Sequence, residues 1–252
     1  MSERLKLSPK NKSALSRVKA VIFDVDHTLA FAKDVSFFAQ FGEMVEKAVR
    51  DYFDITPEQT GKVIQFYRDQ YGGGEQALFM GNIHLHFPEL GLKEPNWEIL
   101  YDLLVQINPE GAFEQQEQLQ KLIARLRSLR IKVVALTSSP DQLSKKILKE
   151  SGYDPEKDFD LFIAYTRLGG PPKKLKHLKI FNQVAEDLNT NPDEIIAIGD
   201  SLSQDVMPAI ELGMMGCLLT DSDIDDFTGI IATRTAQIIM EIIDSKTGEN
   251  HE

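Results

Sequence analysis

At 252 residues, 42% hydrophobic and 27% charged, the chain has an ordinary globular composition and enough length for one large domain or a domain carrying a smaller insert. A formal net charge of -11 excludes the basic stripe that holds a nucleic-acid backbone, and an anionic small-molecule substrate would need local cations, a metal ion and one or two lysines. Cys217 is the only cysteine, which excludes an intramolecular disulfide or a Cys-based zinc site and points to a reducing compartment. No apolar run approaches the roughly 18–20 residues of a membrane span, and residues 1–19 lack the apolar middle of a secretory signal; the expectation is a cytoplasmic protein with no membrane partner.

In chain order, the polar, basic stretch 8–13 predicts a flexible tail, and an apolar run predicts a first strand over 19–25. From Phe37 the period becomes helical, with Phe41, Met44, Val45, Ala48, Val49 and Tyr52 on one broad face. Thr56 with Pro57 and Gln59 has the capping-box pattern that starts a second helix, and Gly72 stands where it would end. Further helices are expected over 75–87 and 96–105, so 31–108 reads as a helical unit. A helix over 113–130 then opens an alternating pattern. Strands are expected over 131–136, 159–164, 194–198 and 215–219, with helices over 140–151, 174–188, 203–212 and 235–243. Short apolar strands between amphipathic helices indicate an α/β fold: a doubly wound, Rossmann-like parallel sheet, interrupted after its first strand by an all-helical insert. The expected division is a core of residues 1–30 and 109–252 and a cap of residues 31–108.

Polar residues gather where these strands end. The first delivers Asp24, Asp26 and Thr28; the second Thr137, Ser138 and Ser139; the fourth Gly199, Asp200 and Ser201, with Asp205 one helical turn on. In an open α/β sheet, ligands bind outside the carboxyl ends of the strands, so these groups would meet in one crevice. Gly169 and Gly170 lead Lys173, Lys174 and Lys176 into a helix beside it. Ser139, with Pro140 after it, is also an ordinary helix N-cap signal.

In this order, Asp-x-Asp-x-Thr, a strand-ending Thr, Lys before a helix and Gly-Asp-x-x-x-x-Asp, the chain resembles the haloacid dehalogenase superfamily, most of whose members are magnesium-dependent phosphohydrolases. The likeness covers 21–28 and about 121–220, and the helical insert resembles the family's cap in position and character. It implies that Asp24 attacks phosphorus to form an aspartyl-phosphate, and that Asp26 protonates the leaving group and then activates water. It further implies Mg²⁺ held by Asp24, the Asp26 backbone carbonyl and Asp200. Thr137, Ser138 and Lys174 would bind the phosphoryl group, with Lys173 and Lys176 as rivals for the lysine, and Asp205 would orient the lysine or a metal-bound water. The substrate implied is a small phosphomonoester: a nucleotide, sugar phosphate or phosphoglycolate-like metabolite. A phosphomutase would use the same aspartate pair. A non-catalytic regulatory or binding protein on the same fold stays open because His27 stands where many relatives carry Gly, Asn or Asp. A dehalogenase is disfavoured by Asp26, which such relatives do not carry.

Other residues read as structural. His84 and His86 lack a third ligand, Gly72 to Gly74 lack the Lys-Ser/Thr of a phosphate loop, and the acidic run 221–226 lacks the Gly and Glu of a calcium loop. Cys217 sits in an apolar strand as a core residue.

Overall fold

The computed structural model describes residues 5, 7–34, 36, 37, 39, 40, 96–170, 172, 178–221 and 227–248. Six strands form one parallel sheet: β1 (Ala20–Phe23), β2 (Lys132–Pro140), β3 (Leu161–Tyr165), β4 (Ile195–Gly199), β5 (Met215–Leu219) and β6 (Ile230–Ala232), in the order β3-β2-β1-β4-β5-β6. The chain winds outward from β1 through β2 to β3, then returns to β4 on the other side of β1. The reversal of winding leaves a crevice outside the C-terminal ends of β1 and β4.

Alternation along the strands divides the core into two layers. Val21 and Phe23 of β1, Val133 and Ala135 of β2 and Ile196 and Ile198 of β4 pack on one face with α3 (Glu117–Ser128), α4 (Asp141–Glu150) and α7 (Thr235–Thr247). Ala20, Ile22, Val134, Leu136, Ile195 and Ala197 pack on the other, against Phe181, Val184 and Ala185 of α5 (Leu178–Asp187) and Ala209 of α6 (Met207–Glu211). Both faces being covered explains why β1 is buried throughout and reads as an unbroken apolar run. Cys217 is fully buried in β5, as its setting predicts.

Several expectations change. The lead-in is not a flexible tail over its whole length: Ser8 caps α1 (Pro9–Leu15), accepting from Asn11 N at 3.2 Å, and Leu15 and Val18 are fully buried. The short strand β6 was not foreseen, because three residues are too few to show a period. The helix expected from 113 starts at Glu117, since the preceding residues pair with the chain leaving β1: Glu114 N donates to Phe31 O at 2.9 Å and Lys33 N to Ala112 O at 2.8 Å. The strand expected to stop at 136 runs on to Pro140.

The helix expected over 96–105 is present as α2 (Trp97–Leu104), capped by Asn96, whose side chain accepts from Glu98 N at 3.1 Å and Ile99 N at 3.2 Å. Its Leu100, Tyr101 and Leu104 are buried in the same cluster as the sheet. The helix expected from Phe37 is seen at its start, where residues 36, 37, 39 and 40 are helical; its remainder and the other helices expected for the insert fall within residues 41–95, outside the described residues, as do His84, His86 and Gly72 to Gly74. No described helix is long and apolar enough to cross a membrane.

Candidate active site

The backbone leaves β1 in ladder register, Asp24 N donating to Ile198 O at 2.9 Å, and then turns sharply. Leu29 N and Ala30 N both donate to Val25 O at 2.9 Å, and His27 N donates to Ala30 O at 2.9 Å, so residues 26–28 loop over the end of the sheet. His27 takes the left-handed conformation with φ 56°, which suits glycine, asparagine or aspartate better; a residue held there stores about 1–3 kcal/mol of strain that its surroundings must offset. From behind, Thr235 Oγ1 donates to Thr28 O at 2.6 Å, a buried bond that anchors the loop to the start of α7.

Beyond β4, Gly199 is followed by exposed Asp200 and by a wide π-helical turn over Leu202–Val206, in place of the regular first turn expected for the helix over 203–212. The turn carries Asp205 back toward the sheet, 4% exposed, with Ser201 N donating to its Oδ2 at 2.9 Å. Asp24, Asp200 and Asp205 each offer a carboxylate oxygen, all within 4.8 Å of one another. The family resemblance implied a supporting position for Asp205; the fold brings it into the same acidic cluster as Asp24 and Asp200.

The third contribution comes from β2. Thr137 is 1% exposed, and its Oγ1 accepts from Ser139 N at 3.0 Å, which leaves the hydroxyl proton for another acceptor. Ser138 Oγ is buried and has no protein hydrogen-bond partner among the described residues. Ser139 does not cap α4 as expected. Pro140 occupies the cap position with no side-chain bond to the helix, while Ser139 Oγ donates to Asp26 Oδ2 at 2.9 Å.

Lys173, Lys174 and Lys176 lie outside the described residues. The turn before them is held by α2. Arg167 donates from Nε and Nη2 to the two carboxylate oxygens of Asp102, each at 2.9 Å, and pairs through Nη1 with Glu98 at 2.7 Å. The bonds from Arg167 hold the Asp102 carboxyl below its ordinary pKa. Tyr165 OH donates to Trp97 O, and the Trp97 ring lies over Gly170, where φ is 69° and a Cβ would come within 3.2 Å of Trp97 Cγ. Tyr101 OH donates to Asp141 Oδ1 at 2.5 Å; burial and then that carboxylate push the phenol up to about 12. One helix thus ties the start of α4 to the end of β3. The contacts by which α2 joins the site are long range, so no local spacing reveals them.

A family model described as haloacid dehalogenase-like hydrolase matches residues 18–213, a span that takes in all three acids of the cluster, Asp26 and the β2 end. The chain belongs to the haloacid dehalogenase-like hydrolases. No curated protein matches it by sequence. Solved structures similar to this hydrolase include CbbY from Rhodobacter sphaeroides in complex with phosphate, 16% identical with a TM-score of 0.56 over 88% of this chain and 96% of that one. A predicted phosphoglycolate phosphatase from Haemophilus somnus 129pt is 15% identical, with a TM-score of 0.53 over 89% and 97%. The HAD-hydrolase YfnB from Bacillus subtilis bound to magnesium is 18% identical, with a TM-score of 0.52 over 90% and 99%. At these identities the likeness concerns the fold, and the parallel α/β core with helices on both faces is the expected fold class, with β6 added to the five strands foreseen.

The residues fit a hard divalent cation. Among the described residues the cluster offers carboxylate oxygens with no nitrogen or sulfur donor, a ligand chemistry that suits Mg²⁺ better than zinc or copper. The Asp26 carboxylate stands outside the cluster and is engaged by Ser139.

Proposed function

We propose that this hydrolase is a Mg²⁺-dependent phosphatase acting on a small phosphomonoester, a nucleotide, sugar phosphate or phosphoglycolate-like metabolite, through an aspartyl-phosphate. The observation that carries the proposal is the meeting of the Asp24, Asp200 and Asp205 carboxylates at the ends of β1 and β4, with the Asp26 carboxylate outside that cluster and accepting a hydrogen bond from Ser139. That arrangement supports assigning attack to one carboxylate and proton transfer to another, which are separate tasks in phosphomonoester hydrolysis.

In this reading Asp24 attacks phosphorus, and the bond to the leaving oxygen breaks as Asp26 protonates it. Asp26 then takes a proton from the water that cleaves the aspartyl-phosphate. Asp24, Asp200 and the Asp26 backbone carbonyl would hold Mg²⁺, with Asp205 beside them. A bound Mg²⁺ supplies positive charge that offsets the repulsion between a carboxylate nucleophile and an anionic phosphoryl group. The Thr137 hydroxyl and Ser138 donate to the phosphoryl oxygens at the start of α4, a position where backbone N–H groups also favour an anion. Lys174 completes the charge balance, with Lys173 and Lys176 as the alternatives. Residues 31–108 act as a cap over a core of 1–30 and 109–252, with α2 as the element by which the cap returns to the core. The cytoplasm supplies the Mg²⁺ and the metabolite.

The test is phosphate release from a panel of nucleotides, sugar phosphates and phosphoglycolate with Mg²⁺, with Asp24→Asn as blank and isomer formation measured in parallel. The expected result is Mg²⁺-dependent phosphate release that Asp24→Asn abolishes without unfolding the chain. Activity that survives Asp24→Asn, or persists unchanged in chelator, contradicts the mechanism.

A further inference from the structure

We infer that Ser139 is a positioning residue for Asp26: its hydroxyl fixes the carboxyl group and assigns the transferable proton to Oδ1. The inference rests on the phosphatase reading and adds to it a residue whose ordinary role would be structural. By its place before Pro140, Asp141 and Gln142, Ser139 should cap α4. In the fold that bond is absent, and the hydroxyl reaches across 113 residues of sequence to Asp26 Oδ2 at 2.9 Å. The Ser139 backbone is itself fixed, because its N–H donates to Thr137 Oγ1 at 3.0 Å. The β2 end and the loop after β1 are therefore joined side chain to side chain, at the group that must move protons.

The chemical consequence follows from the direction of the bond. A hydroxyl that donates into Oδ2 stabilises negative charge on that oxygen, so in the neutral acid the proton resides on Oδ1. It also removes rotation about the terminal carboxyl torsion, which is otherwise soft and roughly two-fold. In the first step the Asp24 oxygen bonds to phosphorus, the bond from phosphorus to the leaving oxygen breaks, and the Oδ1 proton passes to that oxygen. In the second, water bonds to phosphorus, its proton returns to Oδ1 and the bond from phosphorus to Asp24 breaks. Ser139 touches no reacting atom and acts only by holding Asp26.

This role makes a prediction that depends on the leaving group. An alkoxide needs the proton as it departs, whereas p-nitrophenolate is a stable anion and leaves without one. The parameter to compare is kcat/KM, which reports the steps up to departure of the leaving group even when cleavage of the aspartyl-phosphate limits turnover. In the full-length chain with saturating Mg²⁺, Ser139→Ala should lower kcat/KM for an alkyl phosphate such as glycerol phosphate by about tenfold or more, within the range general acid catalysis commands. For p-nitrophenyl phosphate it should stay within about twofold of wild type, and Ser139→Thr, which keeps the hydroxyl, should recover the alkyl rate. Equal losses on both substrates, or no loss on either, overturn the inference while leaving the phosphatase reading intact. A wild type that releases no phosphate from either substrate sinks that reading and the inference with it. The bond is checked independently of activity by the thermal midpoints of Ser139→Ala, Asp26→Asn and the double variant. Coupled shifts support the contact, and strictly additive ones overturn it.

Discussion

Asp205 occupies the space that a side chain on Gly199 would fill: a Cβ on Gly199 would lie 2.5 Å from the Asp205 Cβ. The strand can thus end flush against the π-helical turn, and the Asp205 carboxylate can come close to Asp24. Gly199→Ala should push Asp205 out of the cluster. The expected cost is about 1–3 kcal/mol of stability, as for other overpacked sites, and about 10–100-fold weaker Mg²⁺ binding, as for lost supports of metal ligands. Denaturant unfolding and a calorimetric Mg²⁺ titration read the two effects separately. Unchanged metal affinity would show that Asp205 does not help to shape the site.

Three carboxylates within 4.8 Å repel one another when no cation is bound. At such a separation one like-charge pair costs about 1 kcal/mol in water and more where water is excluded. Asp200→Asn, which removes two such pairs, should therefore raise the unfolding free energy in chelator by about 2 kcal/mol while removing the stabilisation that Mg²⁺ confers, which reaches about 2.7 kcal/mol at a hundredfold excess over Kd. Thermal melts with and without Mg²⁺ test both signs. An equal Mg²⁺ shift in variant and wild type would place the ion elsewhere.

Tyr101 links stability to alkaline pH. Burial, and after it the bond to Asp141, raise its pKa from 10.0 to about 12, so the folded chain keeps a proton that the unfolded chain gives up. The contribution is present in full below pH 10 and is lost as pH rises through about 12. Tyr101→Phe should flatten the decline in stability over that window, measured by denaturant unfolding at stepped pH. A decline as steep as that of wild type would mean that Tyr101 does not contribute to it; Tyr165, also raised mainly by burial, would be the next phenol to substitute.

Much of the fold was legible because it rests on local regularities. The apolar run of β1, the apolar stripe of α3 and the helical stretch that became α2 were all read from spacing. Helix α1 was missed because its seven residues are mostly polar and only Leu15 is buried, although Ser8 and Pro9 carried a cap signal. The extension of β2 to Pro140 was missed because Thr137, Ser138 and Ser139 resemble a turn, whereas the chain stays extended to reach the site. Of the candidate residues, the fold brings Asp24, Asp200 and Asp205 into one cluster and places Thr137 and Asp26 at either end of the Ser139 contacts. Lys174 falls outside the described residues.

Local pattern along the chain is enough to specify an α/β sheet with aspartates and hydroxyls on the C-terminal ends of its strands. An apolar run must be buried, and the polar residues that close it emerge where the strand stops. Only the tertiary structure decided which of those groups meet. A serine before a proline can cap its own helix or reach a distant carboxylate at similar cost, and an aspartate five residues after Asp200 can face solvent or turn inward. Those choices depend on where β1, β2 and β4 place their ends relative to one another, and that is set by long-range packing, which no local spacing records.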